Sequence, residues 1–213
     1  RYFKSSTGNF NFVAMDYDTP DVNNAGPRVG PIVINEIMYN PPSGNQNEEY
    51  IELYNTLTVP VTLYRVDKHT PWKFTDGIEY IFSDSSPVTI YGYSYLLVVK
   101  DKADFTARYG SIVPPDVDVI GSYSGRLSNS GEKVDFSMPG DTDLFGTRYY
   151  IRIDRVNYSD GSHPEDCPGG VDLWPFMADG FGFSLSRRDP NDYGNDAANW
   201  KGALPSPGGP NPP

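Results

Sequence analysis

The hydrophobic pattern of this chain is organised around residues 30–55, GPIVINEIMYNPPSGNQNEEYIELYN. From Ile32 to Tyr39 β-branched and aromatic residues crowd together, and Pro41, Pro42, Ser43 and Gly44 stop the run, so a strand is expected to end there. From Glu49 to Asn55 the side chains alternate, with Ile51 and Leu53 on one face and Tyr50, Glu52 and Tyr54 on the other. That pattern predicts a second strand with one core face and one face turned to solvent or to a partner.

Similar signals recur along the rest of the chain. FNFVAM near the N-terminus reads as a strand, and Val61, Leu63 and Arg65 alternate with Thr62, Tyr64 and Val66 in a third strand after the opening pair. Trp72 and Phe74 form the inward pair of the next strand, and Asp76-Gly77 ahead of IEYIF predicts a hairpin of type I′ character. YLLVV at 95–99 is the strand expected to be most buried. KADFTARY at 102–109 is the one helical patch, with Gly110 to end it. DVDVIGSY and GEKVDFSM read as strands around a Ser- and Gly-rich bend, and YYIRIDRVNY alternates cleanly. Residues 159–182, SDGSHPEDCPGGVDLWPFMADGFG, have no period and many breakers, so they are expected to form a long surface loop, a common place for variable function. FSLSRR is the last expected strand, followed by coil.

Taken in order, several of these fragments resemble one known family. After INEIMYNP and EYIELYN come TDGIEYIF, YLLVVKDKADFTARYG, GSYSGRLSNSGEKVDF and IDRVNYSD, then the closing GFGFSLSRRDP, ANW and PSPGGPN. The series is similar to the lamin-tail domain, found in nuclear lamins and in many bacterial surface and secreted proteins, and it runs from Ile32 to Asn211. The resemblance implies an all-β, immunoglobulin-like β-sandwich of the lamin-tail type with roughly seven to ten strands, one short helix and a long C-terminal coil. It also implies structural positions for Trp72, Trp174 and Trp200, and an extracellular or cell-surface location. The chain departs from the pattern at Asp67-Lys68-His69-Thr70-Pro71, an insertion before PWKFTDG where relatives carry a small-Gly-Trp-x-Leu segment. TPDVNNAGP at 19–27 echoes SPGGPNPP at 206–213, and bacterial members commonly finish with such a segment. Residues 1–29 are therefore expected to be an N-terminal arm or the end of a preceding similar module, with 30–213 forming the lamin-tail-like domain.

Composition narrows the function classes. A chain of 213 residues can close one sizeable core, and 21 glycines with 20 prolines suit a turn-rich all-β protein. No apolar run reaches the length of a membrane span. A net charge of −11 repels phosphate backbones and anionic lipid, so no nucleic-acid partner is expected. The same charge tolerates divalent cations, of which calcium is the candidate outside the cytoplasm. The single Cys167 leaves no internal disulfide.

Three groups of residues are candidates for chemistry. Asp189, Asn191, Asp192 and Asp196 surround Gly194 loosely in the manner of a calcium loop, although Trp200 and Lys201 stand where its final glutamate belongs; an Asx-rich turn accounts for the same residues. Glu36 and Glu52 sit on adjacent strands, where they would share a cation, pair with Arg65, or form an exposed cross-strand charge arrangement. Tyr50, Tyr54, Tyr91 and Tyr93 are solvent-side candidates for a stacking platform for sugar rings, or ordinary strand tyrosines. His163 and Cys167 lie four apart in a broken loop with no third group in sight, so no catalytic residues are expected. Two histidines and one cysteine also disfavour a closed zinc site. The function these features favour is a non-catalytic extracellular or cell-surface interaction or architectural module of a larger multi-domain protein. The alternative is a carbohydrate-binding module or an accessory domain of a secreted enzyme. Its partner would be a protein or polysaccharide at the cell surface, and calcium would be its one candidate cofactor.

Overall fold

The computed structural model describes residues 2–213. An N-terminal hairpin pairs β1 (Tyr2–Lys4) with β2 (Phe10–Phe12). Next come β3 (Ile32–Met38) and β4 (Tyr50–Asn55), the expected opening pair, running antiparallel. Five short strands follow: β5 (Val61–Thr62), β6 (Tyr64–Arg65), β7 (Thr70–Pro71), β8 (Lys73–Asp76) and β9 (Thr89–Ile90). After β10 (Tyr95–Val99), helix α1 (Lys102–Tyr109) starts at Asp101, whose side chain accepts the Ala103 and Asp104 amides at 2.9 and 3.0 Å. β11 (Asp118–Gly121), the long hairpin of β12 (Gly131–Thr142) and β13 (Arg148–Ser159), then β14 (Ser184–Arg187) and β15 (Trp200–Ala203) complete the chain.

These strands close an immunoglobulin-like β-sandwich. One sheet has the order β11-β10-β4-β3-β14-β15, parallel only between β10 and β11; the facing sheet has the order β13-β12-β8. Between them Ile32, Ile34, Ile37, Ile51, Leu53, Leu96 and Val98 meet Trp72, Phe74, Val134, Phe136 and Val156. Fully burying each such aliphatic side chain contributes about 1.5–3 kcal/mol before entropic costs. The alternation of β3 is broken once. Ile34 pairs with Leu53 and Glu36 with Glu52, so Asn35 is an extra, bulged residue. The bulge keeps Ile32, Ile34 and Ile37 on the core face and sends Glu36 and Met38 to the other.

That other face is the main correction to the sequence reading. It meets neither solvent nor a partner, because the chain covers it twice. At one end Met38, Tyr50, Leu97 and Val99 pack under Phe105 and Tyr109 of α1 in a second apolar cluster. At the other end the C-terminal segment around 206–211 crosses it, binding Glu36 through the Ser206 amide and Glu52 through the Gly208 amide. The most buried strand is accordingly β3, with all seven residues buried, and not β10.

Smaller differences have local causes. The strand expected over Val61 to Val66 is split at Leu63, which plunges into the core while β5 pairs with β9 and β6 with β7. The hairpin after Trp72 exists, with Lys73 opposite Ile81, but only Gly77 has the positive φ that type I′ requires at two positions. The stretch after β14 is not all coil, since β15 pairs with it antiparallel. The N-terminal hairpin leans on the sandwich: Ser6 bonds to Asp196, the Gly169 amide to the Thr7 carbonyl, and Phe3 packs edge-on to Tyr193.

Candidate functional site

Two glutamates face each other across β3 and β4 in a dry environment. Glu36 and Glu52 are fully buried, and among the described residues neither forms an ion pair. Glu36 Oε1 accepts from the Ser184 hydroxyl and from the Ser206 amide at 3.0 Å. Glu52 Oε1 accepts from Asn35 Nδ2 at 2.8 Å and Oε2 from the Gly208 amide at 2.5 Å. Glu36 Oε2 has no partner, and the Tyr50 hydroxyl lies beside it without completing a hydrogen bond. Two adjacent buried carboxylates disfavour ionisation of both. Burial pushes the Glu36 carboxyl up to about 7. Burial first, then the neighbouring Glu36, raises Glu52. Burial therefore favours a shared proton on the pair, and the exposed charge arrangement expected for it is not formed. Arg65 is elsewhere, gripping Asp67 at 2.7 and 3.0 Å.

A second buried group staples the two sheets at the bulge. Arg187 Nη1 donates to Asp154 Oδ2 at 2.6 Å and to the Ile34 carbonyl at 2.9 Å, while the Ile34 amide donates to the same Asp154 oxygen at 2.9 Å. Arg187 Nη2 reaches the Asp192 carbonyl at 2.5 Å, and its guanidinium lies 5.9 Å from the Trp200 ring centroid. Glu49 plays a similar part near β11. Its Oε2 accepts the Tyr123 hydroxyl at 2.8 Å and the Leu127 amide at 2.9 Å, and burial pushes its carboxyl up to about 7.

The calcium-loop candidates are engaged in local structure. Asp189 Oδ1 accepts the Asn191 amide at 2.8 Å, and Asp196 accepts the Ser6 and Ala198 amides at 3.0 and 3.2 Å. Among the described residues, Asp189, Asp192 and Asp196 do not bring three ligand oxygens within 4.8 Å of one another. A ring nitrogen of His163 and carboxylate oxygens of Glu165 and Asp166 do lie within that distance of one another, on a largely exposed loop. The tyrosine platform is not assembled either: Tyr50 is fully buried under α1, Tyr54 is half-buried with its ring tilted against Tyr95 at 4.8 Å between centroids, and Tyr91 and Tyr93 remain exposed. His163 bonds to Glu165 at 3.2 Å, and that bond raises its pKa. Burial and the nearby carboxylates push the Cys167 thiol up, which is the reverse of an activated nucleophile.

The long loop after β13 is pinned and encloses a polar cleft. Asp172 Oδ2 accepts the Ser159 hydroxyl at 2.5 Å and the His163 amide at 3.1 Å, while Oδ1 accepts the Trp174 amide at 3.0 Å. Between this loop, the N-terminal hairpin and the adjoining parts of β12 and β13 lies a space of about 550 Å³, lined by groups including Asn9, Phe10, Asn157, Asp166, Trp174 and Asn195. Sequence reasoning marked the loop but not the cleft. It also missed Arg187, Asp154 and the C-terminal amides.

A long antiparallel hairpin facing a larger mixed sheet, with apolar side chains interdigitated between them, defines an immunoglobulin-like structural domain. A family model described as Lamin Tail Domain matches residues 26–141, more than half of the chain. The chain belongs to the lamin-tail domain family. The matched span carries Glu36, Glu49 and Glu52 and ends inside β12; Arg187, Ser184, Ser206 and Gly208, which satisfy the buried polar groups, lie beyond it. No curated protein matches the chain, and no solved structure does.

Proposed function

We propose that this chain is a non-catalytic interaction or architectural module, working outside the cell or at its surface as part of a longer polypeptide. The observation that carries the reading is how its polar groups are divided. Glu36, Glu49, Glu52 and Asp154 are turned inward and bonded to the framework. The less engaged polar side chains, such as those of Asn157 and Asp166, face the cleft. A domain built this way recognises through its surface. Proteolytic shaving of intact source cells, with peptides identified by mass spectrometry, tests the location. Peptides of this chain in the shaved fraction support the reading, and recovery only after lysis overturns it.

The second reading, a carbohydrate-binding module, is favoured by the amide-rich cleft. A catalytic domain on the same polypeptide would make the chain an accessory of a secreted enzyme. A nucleic-acid role runs against the charge of −11, and duplex binding that persists at physiological salt would revive it.

A further inference from the structure

One outer strand of the sandwich is long and only half covered. Of the four strands that end the two main sheets, β8, β11 and β15 have four residues each, while β13 has twelve. Short edges keep a sheet from recruiting foreign strands, and β13 lacks that protection. Its C-terminal half is closed by the chain itself: the Asn157 amide donates to Asn195 Oδ1 at 2.7 Å, and Gly194 lies against the Arg155 carbonyl. Over residues 148–152, among the described residues, neither a strand nor a loop pairs with the side turned away from β12.

This open stretch is basic in an acidic chain. The carboxylates around it are already engaged: Asp67 by Arg65, Asp141 by Lys68, Asp135 by Arg155 and Asp154 by Arg187, while Asp143 accepts the Phe145 and Thr147 amides. Arg148 donates to the Gly140 and Lys68 carbonyls at 2.8 and 3.4 Å, and among the described residues Arg148, Arg152 and Lys73 form no ion pair. The Lys73 ammonium lies 4.2 Å from the Tyr150 ring centroid, so it stands on the Tyr150 face of the sheet, where period-two spacing also places Arg148 and Arg152. The opposite face carries Tyr149 and Ile151, 60% and 47% exposed. Main-chain donors and acceptors at ladder spacing are matched by another peptide backbone. Acidic residues two apart on that backbone would meet Arg148 and Arg152, and apolar residues between them would meet Tyr149 and Ile151. A second copy pairing through the same stretch would set arginines among arginines, and like charges on facing strands destabilise a sheet.

We propose that residues 148–152 of β13 take up an extended strand of a partner protein, one that alternates acidic and apolar residues. This rests on the recognition reading and gives it an interface and a partner chemistry. Fluorescence anisotropy with a dye-labelled octapeptide alternating glutamate and valine tests it, with amide exchange of the intact chain followed by mass spectrometry. The comparison probes are the lysine-valine counterpart and the glutamate-valine peptide N-methylated along its backbone. Binding of the glutamate-valine peptide with slowed exchange over 148–152 is expected, about tenfold weaker for either comparison probe and for Arg152→Glu, and unchanged for the exposed control Arg126→Glu. The two comparison probes leave the folded chain untouched, so the test holds even if Arg152→Glu folds poorly. Equal binding of the lysine-valine or the N-methylated peptide, or no binding of the glutamate-valine peptide, overturns the proposal. A dimer in sedimentation, with exchange already slowed over 148–152 before peptide is added, assigns the edge to a second copy and overturns it as well. In each of these cases the surface-module reading still stands or falls on cell shaving.

Discussion

Glu36 and Glu52 on the outer sheet face and Asp166 and Asp172 at the cleft are all carboxylates in an acidic chain, but their surroundings put them to opposite uses. The first pair is covered beside α1 on one side and by the amides of Ser206 and Gly208 on the other, and among the described residues it forms no ion pair with a basic side chain. Burial raises both carboxyls and so favours a proton over a charge, and the pair's hydrogen bonds tie the C-terminal segment to the central sheet. At the cleft, Asp172 stays near water and shapes a loop, while Asp166 is exposed. The contrast shows that location in the sandwich, more than residue type, decides whether an acid holds the fold or faces solvent. It also separates two ways of satisfying a buried carboxylate here: protonation for Glu36 and Glu52, a guanidinium for Asp154.

The largest effect should come from breaking the guanidinium case. Arg187→Met leaves Asp154 buried at the bulge without its cation, and about 3–5 kcal/mol of unfolding free energy should be lost. Asp154→Leu combined with Arg187→Met should cost less than the two single changes added together, because no orphan charge remains. Urea denaturation measures both; a loss under about 1 kcal/mol for Arg187→Met would show that Asp154 finds other compensation.

The proton case predicts a stability that falls as pH rises. Glu36 and Glu49 have folded values raised to about 7 from about 4.5, so the native state holds protons that the unfolded chain has released. Their contribution is fully present below pH 4.5 and is lost as pH climbs through about 7, on the order of 3 kcal/mol for each carboxyl at full effect. The groups facing Glu36 are Glu52 and Tyr50 on β4 and Tyr109 on α1, and none supplies a positive charge to reverse the sign. Melting temperature measured from pH 4.5 to 8 should decline, and Glu36→Gln should flatten the decline. A slope identical in wild type and Glu36→Gln would mean that the pair is ionised in the native state.

A smaller effect tests the cover itself. Gly208 adopts φ +84°, and a β-carbon there would stand 2.9 Å from Pro114 Cδ and 3.1 Å from Val117. Gly208→Val should therefore cost about 1–3 kcal/mol and weaken the amide bond to Glu52. Faster amide exchange across β3 and β4 in this variant is the accompanying readout, and unchanged exchange would separate the C-terminal segment from the stability of the sheet.

Much of the sandwich could be read from period-two spacing, because Ile32, Ile34, Ile51 and Leu53 must share a face wherever their partner sheet lies. What spacing could not show was the second cover. Tyr50 and Glu52 alternate with Ile51 and Leu53 as they would in a strand exposed on one side, and the atoms that bury them come from residues as far off as Gly208, 156 positions from Glu52. Asn35 hid the bulge for the same reason, since one extra residue is invisible without the register of β4. A clue was present in two glutamates on paired strands with no lysine or arginine between Ile32 and Asn55, which demands neutralisation from elsewhere. Arg187 is one of two arginines closing the FSLSRR strand, and only the sheet order β3-β14-β15 brings it beside the Ile34 carbonyl. The cleft joins three segments distant in sequence, so only its loop could be singled out.

The smallest effect concerns calcium, and it sharpens the contrast from the exposed side. Asp189, Asn191, Asp192 and Asp196 have a composition that suits the cation, yet Asp189 is turned onto the Asn191 amide and Asp196 onto Ser6 and Ala198. Binding calcium there would require breaking those caps before any coordination energy is gained, whereas a preformed site would already converge its oxygens. The melting temperature should be the same in millimolar calcium and in excess chelator, since a ligand that binds only the native state raises it in proportion to ln(1 + [L]/Kd). A rise in calcium that disappears in Asp189→Ala would show that the loop reorganises around the ion; a rise that persists in Asp189→Ala but disappears in Asp166→Ala would move the site to His163, Glu165 and Asp166 at the cleft.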